Sequence, residues 1–130
     1  EKKPRRIQKI TILLTRWDNK WLLARRPEGG LLSGLWQPFL FEEELSEKEA
    51  LARLREFLPG VSPGVPTPLS PSRHLFSHIE WQMSGWIVSL AGNPPALPEG
   101  YAWAGEADME KHAIPGAFKA YKPLLYGKNS

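Results

Sequence analysis

The sequence predicts a single α/β domain, a mixed sheet flanked by helices. Apolar stretches with strand periodicity open the chain, one well-capped helix follows, and more strand patterns precede a last helical segment. Strictly alternating strand–helix units are absent, so an all-parallel sheet does not fit. A length of 130 residues suits one domain with its own core.

Glu1 to Gln8 reads as a basic arm or linker, and residues 9–130 as the domain. Lys9 to Arg16 alternates, with Ile10, Ile12 and Leu14 on one face and Thr11 and Thr15 on the other, as a half-buried strand does. Asp18-Asn19 signals a turn, and Trp21 to Arg25 returns as the second strand of a hairpin. Arg25 to Gly30 is a loop. Leu35 to Phe41 is a third apolar stretch, which Pro38 marks as an edge or irregular strand.

Ser46 with Glu49 forms a capping box, and Leu51, Leu54 and Leu58 set an apolar stripe at helical spacing until Pro59-Gly60. Residues 59–71 hold five prolines and two glycines and read as a loop. Arg73 to Ile79 and Glu80 to Leu90 read as strands, with a bulge at Gly85 because the apolar parity changes there. Tyr101 to Ala104 is a short strand, Glu106 to His112 a helical turn, and Gly116 to Tyr126 a helix interrupted at Pro123.

Composition narrows the function classes. With no cysteine, disulfides and thiolate-held zinc or iron–sulfur centres are excluded from these residues. No apolar run approaches the ~20 residues needed to span a membrane, and no signal-type segment follows the basic N-terminus. A net charge of +3 is compatible with nucleic acid without requiring it. The polar opening and missing initiator Met suggest a fragment of something longer. Nothing in the pattern suggests a dimer, so a monomer is expected.

The first sixty residues resemble the Nudix fold, in which carboxylates on one helix face hold Mg²⁺ against a diphosphate. Laid against Ser46 to Val61, that signature keeps Arg53 and Gly60, but its glutamate positions hold Leu54, Phe57 and Leu58. Glu42, Glu43, Glu44, Glu47, Glu49 and Glu56 do not rebuild the face and read as solvated surface. Two further segments sharpen the resemblance. Leu31-Leu32-Ser33-Gly34-Leu35-Trp36-Gln37-Pro38-Phe39 is similar to the Gly-Leu-Leu-x-Gly-Leu-Trp-x-Phe-Pro segment of MutY-type adenine DNA glycosylases, with Pro38 and Phe39 in swapped order. Arg73-His74-Leu75-Phe76-Ser77-His78-Ile79-Glu80-Trp81 resembles that family's Phe-Ser-His loop with its upstream His.

The resemblance implies a Nudix-like C-terminal domain that reads 8-oxoguanine opposite adenine and helps to clamp double-stranded DNA. The catalytic carboxylates and an iron–sulfur cluster would lie in an N-terminal domain of the same protein, leaving no catalytic residue, metal or cofactor in this chain. Phe76, Ser77 and His78 would recognise the lesion, with Lys2, Lys3, Arg5, Arg6 and Arg73 as candidate phosphate contacts. With no targeting signal, a cytoplasmic setting is implied, in a bacterium with the nucleoid. Two other classes stay open: a Nudix hydrolase of oxidised nucleotides, and a module recruiting repair partners through the Pro-rich loop.

Other constellations are weaker. His74 and His78 could share a strand face as metal ligands, but a third ligand is not evident. Ser77-His78 as a nucleophile–base pair fails on geometry, because neighbouring strand residues point to opposite faces. Asp108 and His112, four apart, read as a solvent-facing helix pair. Trp36, Trp81 and Trp103 lie in apolar strand patterns and are expected in the core.

Overall fold

A computed structural model describes residues 5–109 and 111–126. Strands β1 (Arg6–Trp17) and β2 (Lys20–Arg25) form the expected hairpin, with Asp18 and Asn19 both at positive φ in its two-residue turn. The third apolar stretch divides into β3 (Trp36–Pro38) and β4 (Leu40–Phe41). The first pairs with β2, the second with β1, and the Phe39 carbonyl between them accepts from the Leu13 N–H at 3.0 Å.

Helix α1 (Glu47–Phe57) starts as expected. The Ser46 hydroxyl accepts from the Glu49 N–H at 3.1 Å, and the Glu49 carboxylate accepts from the Ser46 N–H at 2.8 Å. The Ser46 backbone N–H first, and then the Ser46 hydroxyl beside it, hold the Glu49 carboxyl below its ordinary pKa of 4.5.

The remaining strands assemble on β8 (Ile79–Gly92). It runs parallel to β1 without a break, from Arg6 opposite Ile79 to Arg16 opposite Ser89, in the sheet order β3-β2-β1-β8-β5. Its other edge carries β5 (Val61–Pro63), β6 (Thr67–Pro68) and β7 (Ser72–Leu75), all antiparallel. The Pro-rich segment is thus partly sheet edge. Proline lacks the N–H an edge strand would otherwise offer to a stray chain, which is why it is tolerated there. Strand β9 (Tyr101–Ala104) closes on β2. Helix α2 (Glu106–Met109), a 3₁₀ segment (Gly116–Tyr121) and helix α3 (Lys122–Leu125) complete the chain. Pro123 lies in the first turn of α3 and so starts that helix rather than interrupting one.

Several expectations need correction. Arg6 to Gln8 belong to β1 and not to a loose arm, because the parallel pairing with β8 reaches that far. Ile10 to Thr15 are buried on both faces. Ile10, Ile12 and Leu14 meet Trp81, Phe118 and Tyr121 on one side of the sheet, while Leu13 meets Leu54, Leu58 and Val88 on the other. Thr11 tolerates burial because its hydroxyl donates to the Glu43 carbonyl (2.8 Å) and accepts from the Leu45 N–H (2.9 Å).

Two cores also explain the parity change along β8. Trp81 and Met83 face one core, Val88 and Leu90 the other, and no bulge at Gly85 is involved. The extra residue lies in the edge chain, where Pro68 pairs with Trp86 but Ser72 with Met83. Gly85 has a different reason: a Cβ on it would fall onto the Ile12 carbonyl.

Candidate nucleic-acid interface

Strand β7 ends at Leu75, earlier than expected, and pairs through Leu75–Glu80 with the start of β8. The Phe76 N–H donates to the Ile79 carbonyl at 2.7 Å, leaving Ser77 and His78 as a two-residue turn at one end of the sheet. Both are exposed. Ser77 and His78 are therefore turn neighbours, not strand neighbours, and no hydrogen bond joins them among the described residues.

The turn is braced from below and from the side. Phe76 is half-buried and meets Trp81 edge-on, with ring centres 5.0 Å apart, and His74 at 4.7 Å. The Arg6 N–H donates to the His78 carbonyl (3.0 Å), and Arg5 Nε donates to the Phe76 carbonyl (3.0 Å). Carbonyls on either side of Ser77 are thereby occupied. The Ser77 and His78 amides and the Ser77 hydroxyl have no partner among the described residues. The turn presents donors, and a hydroxyl that can also accept, to whatever lies outside.

The other candidates distribute unevenly. Arg5 and Arg6 flank the turn. Arg73 sits opposite Gln82 on the other face of the sheet, near Glu80 at 3.7 Å. There it lines an open hollow of about 410 Å³ with Lys9, Glu44, Glu80 and Gln82. Lys2 and Lys3 lie outside the described residues. His74 packs against Phe76 and faces Trp81 across the strands. His112 is half-buried, edge-on to Trp36 at 4.9 Å, and its Nδ1 lies 2.8 Å from the Asp108 carbonyl, so that pair is not simply solvent-facing.

Beside the turn, the Leu31 to Phe39 segment is held by two successive arginines at the end of β2. Arg25 Nε donates to the Gly34 carbonyl and Arg26 Nε to the Leu31 carbonyl, each at 3.0 Å. Between these anchors Leu32 adopts φ 54°, a conformation costly for a side chain of its size. Arg26, only 9% exposed, escaped the sequence reading because an Arg-Arg-Pro run looks like surface loop. Its partner Glu42, at 2.7 Å, is no free surface carboxylate either. Glu43 likewise pairs with Arg53 at 3.0 Å.

The Mg²⁺ of Nudix chemistry does not fit this helix. Leu54 and Leu58 are fully buried in the second core, and Phe57 stacks on Phe39 at 5.2 Å. Apolar side chains offer a hard cation no oxygen. Among the described residues, no group of three or more His, Asp or Glu is placed to hold a metal. No described helix is long and apolar enough to cross a membrane.

A family model for the NUDIX domain matches residues 10–122. Among curated proteins, the chain is 33% identical to an adenine DNA glycosylase of Rattus norvegicus over 75% of its length. It is 31% identical to that of Homo sapiens over 82%. It spans about one-fifth of the length of these relatives. Among solved structures, it is similar to the C-terminal domain of mouse MUTYH, determined in complex with human PCNA. There the TM-score is 0.72 at 19% identity, covering 90% of this chain and 88% of that one. A MutT NUDIX hydrolase from Burkholderia pseudomallei gives 0.67 at 15% identity, covering 91% and 98%. The two-core sheet with its capped helix is accordingly the NUDIX fold, the sequence likeness runs to adenine DNA glycosylases, and the chain belongs to the NUDIX domain family.

Proposed function

We propose that this chain is the lesion-reading domain of an adenine DNA glycosylase that removes adenine mispaired with 8-oxoguanine. In this reading it recognises and clamps double-stranded DNA, while excision takes place in a separate catalytic domain of the same protein. The observation that carries it is the braced turn whose donors have no partner among the described residues. Oxidation of guanine at C8 adds a carbonyl oxygen and converts N7 from acceptor to N–H donor. The Ser77 hydroxyl can accept from N7–H, and the turn amides can donate to the new oxygen. Phe76 shapes the turn from beneath, His78 stands beside Ser77, and Arg5 and Arg6 supply positive charge for nearby phosphates.

Likeness to rat and human adenine DNA glycosylases supports the substrate, and the apolar helix positions disfavour hydrolysis of free oxidised nucleotides. Mg²⁺-dependent phosphate release from 8-oxo-dGTP would reverse that preference. The test of the leading reading is single-turnover adenine excision by the full-length protein carrying Ser77→Ala. Loss of one specific hydrogen bond is expected to cost ~1–3 kcal/mol, roughly five- to 150-fold, on 8-oxoguanine:adenine and little on guanine:adenine. Equal loss on both substrates, or none, would make Ser77 a structural residue.

A further inference from the structure

Arg26 is the one charged side chain among the buried described residues. Its guanidinium works in two directions. In its plane, Nε donates to the Leu31 carbonyl at 3.0 Å, and Nη1 lies 2.7 Å from Glu42 and 3.5 Å from the Gln37 amide oxygen. It also lies over the Trp81 ring, 5.4 Å from the ring centre. Trp81 carries Phe76, and Phe76 opens the Ser77–His78 turn. The Arg26 backbone meanwhile exchanges bonds with Leu35 and Gly34.

One side chain thus joins the Leu31–Phe39 segment to the turn. Burying a charge costs free energy that an aliphatic side chain would not incur, so packing alone gives no reason for an arginine here. A planar fork that serves several acceptors in plane while lying over an indole is particular to arginine; a lysine ammonium is a point charge on a flexible stem.

We infer that Arg26 is a positioning residue for lesion selectivity, holding Trp81 and through it Phe76 so that the Ser77–His78 turn is presented in one orientation. The inference rests on the proposed reading of that turn. It is tested in the full-length protein with Arg26→Lys, Ser77→Ala and the double variant, each assayed by single-turnover excision on both duplexes and by thermal unfolding. Arg26→Lys keeps the charge beside Glu42 but loses the fork. It is expected to lower the preference for 8-oxoguanine over guanine by about tenfold, with no further drop when Ser77→Ala is already present. Equal losses on both duplexes, or preference losses that multiply in the double variant, overturn the inference.

If Ser77→Ala is silent while Arg26→Lys lowers the preference, the Ser77 contact fails and so does action through this turn. If only Ser77→Ala acts, the reading of the turn survives and the role of Arg26 does not. Should Arg26→Lys fail to fold, Glu42→Gln loosens the guanidinium from its half-exposed side. A drop in preference of about threefold is expected, and an unchanged preference overturns the proposal.

Discussion

At the residue scale, Tyr121 shows how a single hydroxyl records its surroundings. It lies in the first core, donates to the Ser70 carbonyl at 3.0 Å and accepts from Ser72 at 3.1 Å. Burial raises its pKa above the ordinary 10.0, against the smaller opposing effect of the Ser72 bond. The folded chain therefore keeps this proton more tightly than the unfolded chain. The associated stability is fully present below about pH 10 and is lost as pH rises through the folded value. Urea unfolding at pH 9 and pH 11 is expected to show a smaller alkaline loss for Tyr121→Phe than for the native chain. An identical loss would mean that Tyr121 titrates as in the unfolded state. Legibility at this scale is uneven. Ser77 stood out because its neighbours spell a motif, whereas Arg26 carries no local mark. Its importance comes from Glu42 and Trp81, which only the tertiary fold brings to it.

At the scale of elements, α1 was readable because capping chemistry is local: Ser46 and Glu49 need only each other. The sheet was harder. Thr11 and Thr15 made β1 look half-buried, yet the 3₁₀ segment covers one of its faces through Phe118 and Tyr121 and α1 the other through Leu54 and Leu58. The Pro-rich segment misled for the complementary reason, since proline argues against interior strands but not against edges. Helix α1 also bears on Nudix chemistry. Leu54→Glu returns a glutamate to a signature position, yet the side chain there has no access to water. We expect destabilisation by about 3 kcal/mol or more in chemical denaturation and no Mg²⁺-dependent phosphate release from 8-oxo-dGTP. Activity in a stably folded Leu54→Glu variant would show that the helix tolerates Nudix hydrolase chemistry.

For the whole molecule, the two motif segments read from sequence pack against the same core, which holds Trp81, through Leu31, Leu32, Trp36 and Phe76, although more than thirty positions separate them in the chain. Sequence resemblance located both, but their joining by one buried guanidinium had to await the fold. The uninterrupted parallel pairing of β1 with β8 has a further consequence, for the order of events. From Arg6 to Arg16, each β1 residue waits for a β8 partner more than half the chain downstream, so this pairing cannot form early in synthesis and should be slow on refolding. A chain ending at Pro71 is expected to stay unfolded by circular dichroism and unprotected in hydrogen exchange, despite containing β1, β2 and α1. Native-like protection in that truncation would refute this dependence. Because Arg5 and Arg6 hold the turn carbonyls from the start of β1, the turn matures only when the two ends of this long connection meet. Nascent or partly folded chains thus have no braced Ser77 to offer, and under the proposed function lesion recognition appears only with the finished core.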